Sequence, residues 1–81
     1  MNKQSLLRAL FYKSIPLNFN LSDALDVLSQ RERIVLEKRY KLNNGQPTVF
    51  REIAADFGVT GERIRQIESK ALRKIRYFTR R

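Results

Sequence analysis

Apolar residues recur along this chain in short helical blocks separated by polar or loop-forming stretches. In residues 3–13, Leu6, Leu7, Leu10 and Phe11 fall at helical spacing and predict a first helix with one sticky face. Pro16 sets its limit, because the proline ring disfavours helical geometry at Ile15. A connector, LNFN, leads to Ser22, the expected N-cap of a helix beginning DALDVL. The next start is sharper. In SQRE, residues 29–32, the Ser29 side chain can accept from the backbone N–H of Glu32 while Glu32 reaches back, which is the capping-box spacing. The helix it opens offers Ile34, Val35 and Tyr40 for burial.

NNGQP, residues 43–47, is the strong loop punctuation of the second half. It precedes TVFREIAADF, in which Phe50, Ile53, Ala54 and Phe57 share a face, and Gly58 stands where a helix ends in positive φ. After GVT, Thr60 is the expected cap of a long last helix. There Ile64, Ile67, Ala71, Ile75 and Phe78 make one continuous stripe that Leu72 widens. No strand pattern competes. The expected fold is all-α: a compact helical domain with a C-terminal helix-turn-helix and a long recognition helix.

If Ile64, Ile67 and Ala71 face inward, Glu62, Arg65, Gln66 and Ser69 project from the opposite side near the helix start. Lys70, Arg73, Lys74 and Arg76 extend that surface. A short helix, a glycine-containing turn and a second helix with polar first turns is a plan whose second helix enters the major groove of DNA. The side-chain chemistry fits. Arg donates in pairs to guanine, Gln pairs with adenine, and Glu accepts from cytosine. Lys and Arg suit phosphates, which fix register without reading sequence. Glu62, Arg65 and Gln66 are therefore the candidate base readers. The plainer alternative is a solvated charged face with weak surface ion pairs.

Charge supports the nucleic-acid reading. Across 81 residues, 17 Lys and Arg against 8 Asp and Glu give a net charge of +9. Residues 60–81 hold eight of the basic side chains and two of the acidic ones. Such an imbalance favours a polyanionic partner. A chain this short buries only about 60% of its unfolded surface and has no room for a large enclosed active site. It contains neither cysteine nor histidine, which excludes disulfides, zinc fingers and imidazole or thiol catalysis. No phosphate loop, metal-ligand set or nucleophile–base pair is visible, and Glu52, Asp56, Glu62 and Glu68 read as helix-surface acids. Neither an enzyme nor a cofactor is expected. No apolar run approaches the roughly 20 residues of a membrane span, and the start is an unconvincing signal peptide, so the chain reads as cytoplasmic.

LSQRERIVLEKRY, REIAADFGVT and ERIRQIESKALRKIR together resemble region 4, the C-terminal promoter-binding domain of sigma-70-family bacterial RNA polymerase sigma factors, the primary group above all. The resemblance runs from Leu25 to Arg76 and divides the chain into residues 1–20, an amphipathic helix and connector, and residues 21–81, the region 4-like domain. It implies recognition of a promoter −35 element and docking on the flap of the polymerase β subunit. An anti-sigma or activator protein is a further candidate partner. Carried over by position, Glu62, Arg65 and Gln66 match the base readers. Arg31, Arg39 and Lys70 match positions around the DNA backbone, and Thr60, Arg63, Arg73 and Lys74 are assigned there as well. Tyr40, Leu72 and Ile75 fall among the flap-contact positions, with simple core packing as the alternative.

The chain departs from the family pattern twice. The family carries a DNA-reading arginine between the Thr and Glu of its VTRERIRQIE motif, where this chain has Gly61. At the start of the preceding helix, Val49 takes the capping position and Arg51 replaces an acid. The first departure favours a second reading, a flap- or regulator-binding module that touches DNA without sequence preference. Another helix-turn-helix class, the response-regulator type, shares the LSxRE opening, but the KLNNGQP loop and ERIRQIE argue against it.

Overall fold

The computed structural model describes residues 3–16, 19–41 and 46–79. Over these the chain is all-α, as expected, with α1 (Lys3–Tyr12), α2 (Leu21–Asp26), α3 (Gln30–Arg39), α4 (Phe50–Phe57) and α5 (Gly61–Thr79). Residues 17 and 18 of the connector and 43–45 of the NNGQP loop lie outside the described residues. The radius of gyration is 12.0 Å, close to the roughly 12 Å of a packed domain of this length, so α1 is folded against the rest.

Local chemistry explains the helix ends. Around Ser29 both halves of the capping box form, Glu32 N–H donating to Ser29 Oγ at 3.2 Å and Ser29 N–H to Glu32 Oε1 at 2.8 Å. Gly58 ends α4 in the left-handed region at φ 65°, and the Val59 N–H returns to the Ala54 carbonyl. Thr60 Oγ1 accepts from the Arg63 N–H at 3.1 Å and opens α5. Val49 precedes α4 without a side-chain cap, as a valine must.

Two expected ends lie elsewhere. α2 is capped by Asn20 rather than Ser22: the Asn20 carboxamide oxygen accepts from the Ser22 N–H at 2.8 Å, which starts the helix two residues earlier. α1 stops at Tyr12, before Pro16 acts. Ser14 takes φ 56°, and the N–H groups of Ser14 and Ile15 return to the carbonyls of Phe11 and Leu10. This is the closure usually made by glycine.

The apolar residues separate into two clusters. The first joins Leu6, Ala9, Leu10 and Ile15 to Ala24, Leu28, Leu36, Tyr40, Ala71, Leu72 and Ile75. The second contains Val35, Ile53, Ala54, Ile64 and Ile67, with Phe50 and Phe57 against it. The stripe of α5 is inward as expected, with Phe78 half-buried. Phe11 and Ile34 correct the sequence expectation. Phe11 is 85% exposed and Ala9 holds the inner position of α1 instead. Ile34 is exposed while Leu36 is buried, because α3 turns residues 32, 35, 36 and 40 inward.

Candidate nucleic-acid interface

α4 and α5 form the helix-turn-helix, and the turn between them is Gly58 and the Thr60 cap just described. With Ile64, Ile67 and Ala71 buried, Glu62, Arg63, Arg65, Gln66, Ser69, Lys70 and Arg73 all lie on the exposed side of α5. The three candidate base readers are thus together and open. Arg65 Nε donates to Glu62 Oε2 at 2.9 Å, and a second guanidinium nitrogen holds Oε1. Hydrogen bonding from Arg65 keeps the Glu62 carboxyl below its usual range, and the same pair holds the Arg65 guanidinium above its own. Both side chains remain more than half exposed, so the pair orients without sequestering either.

A shallow crease of about 140 Å³ lies between the start of α3 and this face, lined among others by Arg31, Arg63, Gln66 and Lys70. The fold therefore brings Arg31, thirty-odd residues away in sequence, beside the exposed face of α5. Thr60 Oγ1 is used as a cap acceptor, which leaves its hydroxyl proton free to donate.

Two of the assigned backbone cations face other duties. Arg39 Nε donates to Glu68 Oε2 at 2.8 Å, its Nη1 donates to the Thr48 carbonyl, and its guanidinium lies 4.0 Å from the centre of the Phe50 ring. The Thr48 N–H in turn donates to the Arg39 carbonyl at 2.9 Å, so Arg39 clamps the end of the loop before α4. Lys74 Nζ donates to Glu32 Oε1 at 2.9 Å. These pairs are reciprocal. α3 supplies an acid to a cation of α5, α5 supplies an acid to a cation of α3, and together they brace the two helices.

Glu68 corrects the sequence reading, since it is 3% exposed rather than a surface acid. Its spacing was the available signal: 64, 68 and 72 lie four apart on the inner stripe. Glu32, on the inner stripe of α3, is likewise buried. Burial alone would raise its carboxyl, but the Lys74 ammonium and the Ser29 N–H prevail and hold it below the usual range. Tyr40 sits beside the other brace, its hydroxyl buried without a hydrogen bond, and burial together with the Glu68 charge holds the phenol well above its usual value. Tyr40, Leu72 and Ile75, the three expected flap-contact residues, are all buried in the first cluster.

Comparison with known proteins fits this geometry. The family model for Sigma-70, region 4 matches residues 24–77, which includes both braces, the turn and the exposed face of α5. The chain belongs to the sigma-70 region 4 family. Among its relatives are proteins named RNA polymerase sigma factor SigA from a Bacillus species and from Listeria monocytogenes serovar 1/2a (strain ATCC BAA-679 / EGD-e). Each is 52% identical over 60 residues, which is 74% of this chain and 16% of the relative. This region 4 chain therefore spans about one-sixth of the length of those relatives. Its α1 lies wholly before the matched residues. Among the described residues no helix is long and apolar enough to cross a membrane, and no group of acidic side chains could hold a metal ion.

Proposed function

We propose that this region 4 domain reads double-stranded promoter DNA of the −35 type through the first turns of α5, acting with bacterial RNA polymerase in transcription initiation or its regulation. The carrying observation is the exposed row Glu62, Arg65 and Gln66 on the reading helix of a helix-turn-helix, with Arg31, Arg63 and Lys70 at its margin. Gln66 and Arg65 present paired donors or acceptors to base edges, and Glu62 supplies an acceptor. Arg31, Thr60, Arg63, Lys70 and Arg73 hold the phosphates. Arg39 is left out of this set because its guanidinium is used inside the fold. Lys74 reaches a phosphate only by sharing its ammonium with Glu32.

Gly61 favours the second reading, polymerase or regulator binding with DNA held by charge alone, since it offers no side chain at the start of α5. Binding to matched and scrambled −35 duplexes at two salt concentrations separates the two. Under the first reading, Gln66→Ala costs about 1–3 kcal/mol on the matched duplex and relaxes preference at one base pair. Lys70→Ala weakens both duplexes alike and flattens the salt dependence. Equal losses on both duplexes from Gln66→Ala would reduce the interface to electrostatics.

A further inference from the structure

The first apolar cluster is built from two sources. Ala24, Leu28, Leu36, Tyr40, Ala71, Leu72 and Ile75 lie within the matched residues, whereas Leu6, Ala9, Leu10 and Ile15 come from the segment before them. With α1 lifted away, the family portion would show an apolar groove lined by α2, α3 and the second half of α5. We propose that α1 is a removable occupant of that groove, which seals it in the free protein and must leave before an amphipathic helix of the polymerase can dock there. The inference rests on the polymerase partner proposed above and adds a regulation to it.

Three features make α1 separable from the reading head. The second cluster, which supports α4 and the first turns of α5, contains no residue of α1. Glu68 receives two cations, Arg39 at 2.8 Å and Lys13 at 3.5 Å from just beyond α1, so it keeps the closer one when α1 departs. α1 is only ten residues long, and isolated helices below about 12 residues are marginal in water; its helicity and its seat are gained or lost together. Its exposed Phe11 shows that it fills the groove with only part of its apolar surface.

α1 also displays the chemistry the groove accepts. Apolar side chains at 6, 9 and 10 enter it, and a cation one turn later faces Glu68. A docking helix with small or branched apolar residues at that spacing, followed by a Lys or Arg, would reproduce every contact of that set. If the open form is about one molecule in ten or rarer, the occupant lowers the apparent affinity for such a helix by about tenfold or more.

Two measurements on the full chain test this. The double substitution Leu6→Asp, Leu10→Asp unseats α1, and its affinity for a purified β-flap fragment of a bacterial RNA polymerase is compared with that of the unsubstituted chain. The expected result is binding tighter by about tenfold or more, with the helical signal of α3–α5 and binding to promoter duplex retained. Hydrogen exchange on the unsubstituted chain needs no mutation. α1 amides should exchange well before those of α5, and faster still as the flap fragment is added. Equal flap affinity in both proteins, α1 exchanging only with global unfolding, or collapse of α3–α5 on unseating would each overturn the proposal while leaving polymerase docking intact. If neither protein binds the fragment although α1 opens readily, polymerase docking through this face fails and the inference fails with it.

Discussion

The two apolar clusters differ in where their residues come from and in what frames them. The cluster of Val35, Ile53, Ala54, Ile64 and Ile67 is drawn from matched residues alone and is bounded by the Gly58 turn and the Thr60 cap. The cluster around Tyr40 and Ile75 is completed by a helix from outside that match. The part that presents Gln66 and Arg65 therefore draws its apolar seat from matched residues alone. The other part depends on a segment with its own sequence. Arg39 is the residue that ties them, stacking on Phe50 beside one cluster and bracing Glu68 beside the other.

The largest effect should follow from removing that tie. Arg39→Ala leaves Glu68 buried with the more distant Lys13 as its cation among the described residues and frees the end of the loop at Thr48. Breaking a buried pair on one side costs about 3–5 kcal/mol, read as a shift of the denaturant midpoint at constant slope. A loss under about 1 kcal/mol would mean the pair behaves as a surface bridge. Both clusters would then be less coupled than the geometry indicates.

Next in size are truncations inside each cluster. Ile64→Ala and Leu10→Ala each remove a fully buried aliphatic side chain, and each should cost about 2–5 kcal/mol. Their consequences should diverge at temperatures where both variants are folded. Ile64→Ala undermines the seat of the reading helix and should weaken duplex binding. Leu10→Ala should leave it unchanged. Parallel losses of DNA affinity would show that the two clusters act as one core.

What the sequence made legible divides along the same line. Around α4 and α5 several local signals agree: a capping residue, a glycine in the left-handed region and an apolar stripe of regular period. Agreement of that kind is what allows a reading without coordinates. The orientation of Glu62, Arg65 and Gln66 followed from the stripe alone. The misreadings arose where polarity and burial part company. Glu32 and Glu68 occupy inner positions, and counting only apolar residues made α3 turn on Ile34. In α1, Ala9 is too small to stand out beside Phe11, yet it permits close approach and takes the buried place. The partners of Glu68 and Glu32 lie 29 and 42 residues away, a distance over which no local pattern speaks.

A smaller effect should appear in acid. The Glu32 carboxyl is held below its usual range in the folded protein by Lys74 and the Ser29 N–H, against the opposing effect of burial. A depressed carboxyl contributes stability that is present above its unfolded pKa, about 4.3, and is lost as pH falls through the lower folded value. Glu32→Gln keeps a side chain able to complete the capping box but gives up the charge opposite Lys74. Its stability should therefore vary less with pH below about 4.3 than that of the unsubstituted chain. An unaltered acid limb would assign that dependence to other carboxylates.

The smallest effect on stability is expected at Gly61, the first residue of α5. A Cβ there would lie 3.6 Å from the Arg51 backbone nitrogen and 3.7 Å from Phe50 Cβ, ordinary van der Waals distances, so a side chain fits without rearrangement. Gly61→Arg should change stability by no more than about 0.5 kcal/mol, the usual range for surface substitutions. It places a guanidinium at the start of α5, beside the exposed Arg51 on α4. If α5 meets DNA as proposed, the matched −35 duplex should be bound more tightly while a scrambled duplex gains less, because only the former offers the base edge that an arginine reads. Comparable gains on both duplexes would mean the new cation touches phosphate. No gain on either would mean that α5 approaches the duplex at another angle, and the assignment of Arg65 and Gln66 as base readers would fall with it.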